Sequence, residues 1–284
     1  MKRRVLCVLL VSILLSSLFA GGTMEALDFS DRSHIALIVD ERTENYREVT
    51  EALLDASLEI AKERKLQTDV FYSLSSPDTF ALLKSAVNAD YDMIVGFFFP
   101  IDTFLSLSQE GKDEKFVLVS LTDSGEEEGF KVFYLDFPSA SFMAGKNAAE
   151  KSCASFYGII VPEMTTLNKM TIESFVEGVK SVVPNASFSV MDQSGSGKAG
   201  DSLSFLLEQG AECIFSLSPL EVNHMDPYYV SFSSSINHEK GADITVALDY
   251  QSLIRELGEM AGGEDKEKRI LGVEDGVISL SINE

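Results

Sequence analysis

Short apolar runs rich in β-branched residues alternate along this chain with longer segments of helical character, and that alternation restricts the fold more than any other feature. Strand-like runs stand at 34–39, 68–74, 91–96, 115–121 and 131–135. The segments 46–65, 76–88 and 101–109 between them read as helices; in the first, Val49, Ala52, Leu53, Ala56, Ile60 and Ala61 recur at helical spacing. The second half repeats the pattern, with strands at 156–161, 186–191 and 212–217 and helices at 167–182 and 198–209. Strand-like runs at 228–232 and 243–248, a helix at 251–261 and an edge-like strand at 277–282 close the chain. The expected fold is α/β, with two doubly wound parallel-sheet lobes joined by a hinge near 136–141. The expected division is a leader at 1–22, a first lobe of 30–136 plus about 235–265, and a second lobe of 137–234 plus about 266–284.

The leader is legible by itself. Lys2, Arg3 and Arg4 precede an apolar run over 5–15, which weakens toward Ala20 and ends at Gly21 and Gly22. That is the layout of a secretory signal peptide, and the run is shorter than the ~20 residues a membrane span needs. An uncleaved anchor is the alternative. Cys7 stands too early to be the lipid-bearing cysteine of a bacterial lipoprotein, so the expectation is a soluble exported protein, periplasmic or extracellular. Without the leader, 20 Lys and Arg face 45 Asp and Glu, a net charge of −25. Such a chain is repelled by nucleic acid and by anionic lipid, so no nucleic acid is expected as a partner.

Several stretches carry a resemblance: 34–40 followed by a long helix, Tyr91 to Gly96, and the strand opened by Lys115-Phe116. Further along stand Ser141-Phe142-Met143-Ala144-Gly145, Phe175-Val176-Glu177-Gly178-Val179 with Pro184, and Gln209-Gly210-Ala211 before Cys213-Ile214-Phe215. In order and spacing the chain resembles the basic membrane protein family of type I periplasmic binding proteins, which includes purine nucleoside receptors. The resemblance implies two lobes joined by three crossovers and a small organic ligand, nucleoside by default, clamped between them. It also implies an ATP-driven membrane permease as partner. The expected protein is a monomeric binder, not an enzyme. The rival readings are a ligand sensor or protein-binding member of the same scaffold, and an exported enzyme.

The polar set that the resemblance implies is altered. The loop after the first strand is reduced to Asp40-Glu41-Arg42-Thr43-Glu44-Asn45-Tyr46, an expected acid falls on Ser120 with Asp123 nearby, and an acidic hinge triplet reads Ser233-Ser234-Ser235. Ligands of open α/β sheets bind outside the carboxyl ends of the strands. On that rule the candidate ligand residues are Asp40, Asn45 and Tyr46 after the first strand, then Phe97, Phe98 and Phe99. Asp123, Met164, Ser233 and Ser235 complete the set, with Arg42, Thr165 and Asn168 as neighbours. Each has a plain structural alternative: helix capping for Asn45, packing for the phenylalanines, a turn for the serines.

No cofactor or metal is expected. Gly195-Ser196-Gly197-Lys198-Ala199 fails as a phosphate loop, because Asp192 and Ala199 stand where glycine and serine or threonine are required. His34, His224 and His238 lack metal-ligand spacing. Cys153 and Cys213 would lie toward the amino ends of neighbouring strands in a sheet ordered 2-1-3, which leaves a disulfide and two free buried thiols both open.

Overall fold

A computed structural model describes residues 33–39, 46–63, 66–72, 76–89, 91–98, 116–121, 131–194, 199–218, 220, 227–233, 241–261 and 269–283 of the chain. The expected leader at 1–22 and the expected helix at 101–109 lie outside these.

The described strands form two six-stranded sheets. The first contains β1 (Ser33–Val39), β2 (Leu66–Tyr72), β3 (Met93–Phe97), β4 (Phe116–Ser120), β5 (Lys131–Leu135) and β11 (Arg269–Leu271), in the order β2-β1-β3-β4-β5-β11. Every pair in it is parallel. The second contains β6 (Phe156–Val161), β7 (Ser187–Asp192), β8 (Cys213–Ser216), β9 (Tyr228–Ser233), β10 (Ile244–Leu248) and β12 (Ile278–Ile282), in the order β7-β6-β8-β9-β10-β12. It is parallel except for β12, which runs against β10. The helices are α1 (Tyr46–Glu63), α2 (Ser76–Asn88), α3 (Phe137–Ser152), α4 (Thr166–Val182), α5 (Ala199–Glu208) and α6 (Tyr250–Met260).

Strands that are apolar at every position belong in sheets covered on both faces, since successive side chains point to opposite sides. In β1, Ile35, Leu37 and Val39 join one core cluster while Ala36 and Ile38 join another. Val49, Leu53, Ala56 and Ile60 of α1 cover the first of these faces, and Leu83 and Ala86 of α2 cover the second. The second sheet repeats the scheme: Tyr157 and Ile159 of β6 face α3 and α4, and Ile160 packs with Leu206 of α5. Helix α3 is thin on its inner side, where Ala140, Ser141, Ala144 and Ala148 are all fully buried. It therefore lies close against α4, and Ser141 Oγ donates to the Thr171 carbonyl at 2.7 Å.

Two expectations about the second half need correction. The segment 235–265 is expected in the first lobe; α6 within it does pack on α1, but β10 hydrogen-bonds to β9 and β12 of the second sheet. The segment 266–284 is expected in the second lobe; β12 within it does pair there, but β11 pairs with β5 of the first sheet. Short apolar strands suit either sheet, and only their partners decide membership. The cysteines are both free; Cys213 is buried at the start of β8, whereas Cys153 is exposed.

Candidate functional site

Among the described strands, three segments connect the two sheets, and all use carboxyl edges. β5 leads through Asp136 into α3, which packs on β9, β10 and β12 of the second sheet. β10 leads through Asp249 into α6, which packs on α1 beside the first sheet. β11 leads through 272–277 into β12, whose amino end lies at the same edge because it is antiparallel to β10. Two of these crossovers share one local pattern, Asp136-Phe137-Pro138-Ser139 and Asp249-Tyr250-Gln251-Ser252. In each, the aspartate caps a helix and its Oδ1 accepts from the serine N–H three residues on, at 3.0 Å. The Asp136 N–H donates to the Leu271 carbonyl and the Asp249 N–H to the Val277 carbonyl, both at 2.8 Å. The third crossover is thus held at each end by one of the other two. The carboxyl edges of both sheets meet at this junction.

In each sheet the strand order reverses once, between β1 and β3 and between β6 and β8. At such a switch point the connections leave in opposite directions and open a crevice at the carboxyl ends. Asp40, Arg42, Asn45, Phe99, Asp123 and Ser235 lie outside the described residues, as does the side chain of Tyr46 at the start of α1. Phe97 and Phe98 are described, at the end of β3. Phe97 is fully buried within the core that α1 covers, so its ring packs and does not line a crevice, contrary to expectation. Phe98 is half-buried and has a φ of +59°. Its N–H still donates to the Val119 carbonyl at 2.9 Å, continuing the ladder one residue beyond β3.

At the second switch point Met164 is exposed, in the loop between β6 and α4. Thr165 beside it caps α4, its hydroxyl accepting from the Asn168 N–H, and Asn168 Nδ2 donates to the Glu163 carbonyl at 2.8 Å. Those two neighbours of Met164 thus have clear structural work. Ser216 at the end of β8 and Ser218 just beyond it stood outside the expected ligand set. Ser216 Oγ donates to the Ser218 carbonyl at 2.7 Å, and Ser218 Oγ donates to Gln193 Oε1 at 2.8 Å. Gln193 follows β7 and lies 3.5 Å from the buried Ser202 hydroxyl of α5. These hydroxyls tie the ends of β7 and β8 together. Ser-x-Ser directly after an apolar run was the available signal. Ser233 ends β9, and the ring of the half-buried Phe232 beside it lies 5.1 Å from that of Phe137 in the first crossover.

The electrostatics separate the two edges of the sheets. Among the described residues at or just beyond the carboxyl ends stand Asp136, Glu163, Asp192 and Asp249, and no Lys, Arg or His. The shifted groups cluster instead near the amino edges. Burial, with the Asp69 carboxylate accepting from its hydroxyl at 2.7 Å, pushes the Tyr91 phenol up to about 12. Asp69 also meets His34 Nε2 at 2.8 Å. Glu212 is held below the usual carboxylate range by the Ser155 N–H, the Ser155 hydroxyl and the Phe156 N–H. Burial pushes the Cys213 thiol up, and burial with Asp243 nearby pushes Tyr228 up to about 12.

No protein-family model matches the sequence, and no curated protein matches it. Solved structures do match. An ABC transporter system solute-binding protein from Conexibacter woesei is 14% identical with a TM-score of 0.67, over 88% of each chain. A transcriptional activator of the comK gene from Bacillus halodurans is 14% identical with a TM-score of 0.67, over 87% of this chain and 89% of that one. AraP, an arabinose binding protein from Geobacillus stearothermophilus, is 13% identical with a TM-score of 0.65, over 88% of this chain and 97% of that one. The α/β fold with two parallel-sheet lobes is that of periplasmic-binding-protein-like structures.

Proposed function

We propose that this protein is an exported, monomeric solute-binding protein that closes its two lobes around a small organic ligand and presents the closed form to an ATP-driven membrane permease. The observation that carries the reading is the meeting of two carboxyl edges, each with its own switch point, at a junction where the third crossover is hydrogen-bonded to each of the other two. A ligand held from both edges stabilises the closed arrangement, and that state can be recognised by a partner. The solute-binding proteins among the structural neighbours support a binding role over an enzymatic one. So does the location of the shifted titratable groups, near the edges away from the switch points. A nucleoside-like ligand follows from the resemblance to the basic membrane protein family, and an aldose from the sugar-binding neighbours. A ligand sensor on the same scaffold is the second reading, favoured by the transcriptional activator that matches equally well.

Thermal unfolding of the purified protein against nucleosides, aldoses and amino acids tests the proposal. A ligand that binds only the folded state stabilises it by about 2.7 kcal/mol at a hundredfold excess over Kd. The expected result is a saturable rise in Tm with one class and recovery of the compound unchanged. Turnover of that compound would make the protein an enzyme, and no rise with any class would favour a protein-binding role.

A further inference from the structure

We propose that Phe98 is the stacking platform of the ligand site, and that the site takes an uncharged molecule with a flat apolar face; this rests on the solute-binding reading above. Among the described residues only Phe98 and Cys153 are non-glycine residues with positive φ. Cys153 is the C-cap of α3, where a left-handed residue ends many helices. Phe98 has no helix end to explain it. A bulky side chain adopts this conformation only where its surroundings hold it, and such strain concentrates at functional sites.

What the strain achieves can be read from the packing. Consecutive residues of a strand point to opposite faces, so Phe98 should follow Ile94 toward the α2 side of the sheet. Instead it packs against the same core cluster as Phe97, with the two ring centroids 6.0 Å apart and the planes at 82°. The left-handed turn places two successive rings on one side. Phe97 is buried beneath, and Phe98 remains half-exposed at the first switch point. An edge-to-face contact of this kind fixes the upper ring and leaves it available for stacking.

The charge class follows from the acidic balance. The described strand ends hold carboxylates, hydroxyls and the Gln193 amide, against the exposed Arg47 in the first turn of α1. The net charge of −25 without the leader opposes an anion further.

Isothermal titration of the wild type with adenosine, D-ribose, L-arabinose and adenosine 5′-monophosphate tests the proposal, beside Phe98→Gly and Phe98→Leu. Glycine relaxes the backbone and removes the ring, whereas leucine keeps apolar bulk without a flat face. The expected result is binding of at least one uncharged probe, with adenosine 5′-monophosphate at least about tenfold weaker than adenosine wherever adenosine binds. Both variants are expected to weaken the bound uncharged probe about tenfold or more, in line with the loss of a stacking contact. Wild-type affinity in a folded variant would reduce Phe98 to packing and leave the solute-binding reading intact. Equal affinity for the nucleoside and its monophosphate would overturn the charge class alone. No binding of any uncharged probe to the wild type would overturn the inference, and silence in the wider Tm screen as well would remove the reading beneath it.

Discussion

Gly145 of α3 and Gly178 of α4 stand in reciprocal contact across the two helices. A Cβ on Gly145 would lie 2.2 Å from the Phe175 carbonyl oxygen, and one on Gly178 would lie 2.1 Å from the Phe142 carbonyl oxygen. Each belongs to a Phe-x-x-Gly stretch, and the phenylalanine of one stretch supplies the carbonyl that excludes a side chain from the other. The obstacle in both cases is backbone, which cannot rotate away. Gly145→Ala and Gly178→Ala are each expected to destabilise by about 1–3 kcal/mol, the range for overpacking a tight interface. In urea unfolding the double variant should cost less than the sum, because either substitution already parts the helices.

The core of the second lobe contains a stacked pair, Phe175 and Phe215, with ring centroids 4.0 Å apart and planes at 6°. Both are fully buried. Phe175→Ala is expected to cost about 3–5 kcal/mol, and Phe97→Ala in the first lobe a similar amount. A loss much below that in chemical denaturation would mean that these sites collapse around the missing ring.

Asp136 and Asp249 each cap a helix at a crossover while their N–H groups anchor the third segment. Replacing either with alanine removes only the cap, at a cost of about 1 kcal/mol. If the crossovers act as the hinge, the same variants should also alter the affinity of an identified ligand. A stability loss with unchanged affinity would confine the two aspartates to capping.

The amino edges predict a pH response at both ends of the scale. Tyr91 ionises at about 12 in the folded protein, above the ordinary 10.0. Its contribution is fully present below the unfolded value and is lost as pH rises from 10 toward 12. Tyr91→Phe should therefore flatten the alkaline limb of stability, and ultraviolet titration of the variant should lose one of the late phenols that the wild type shares among Tyr91, Tyr228 and Tyr157.

Glu212 behaves with the opposite sign. Its folded pKa is lowered, so its contribution is present above the ordinary carboxylate value and is lost as pH falls through the folded one. Glu212→Gln should remove part of the acid sensitivity while leaving the neutral plateau nearly level. An unchanged acid limb would show that Ser155 and Phe156 find other acceptors.

Strand and helix types were legible in this chain because both periodicities are strong and local. Runs apolar at every position could only be strands covered on two faces, and the described sheets agree. Helix α3 left a weaker trace, since its buried side is alanine, serine and glycine, which carry little hydrophobic contrast. β11 is three residues long, too short to register as a pattern. The candidate site was legible as a position, the carboxyl ends of the strands, but less so as a set of side chains. Of the expected ligand residues, Phe97 went into the core, Phe98 was turned by a left-handed backbone, and Met164 stands exposed.

The amino-acid order by itself determined the α/β class, the two series of strands and helices, and the acidic balance, since periodicity and charge are properties of neighbouring residues. Only the tertiary structure decided which sheet receives β10 and β11, how three crossovers lock together, and where consecutive phenylalanines point. Those outcomes depend on hydrogen-bond partners and packing surfaces far away in the chain, which a local pattern does not encode.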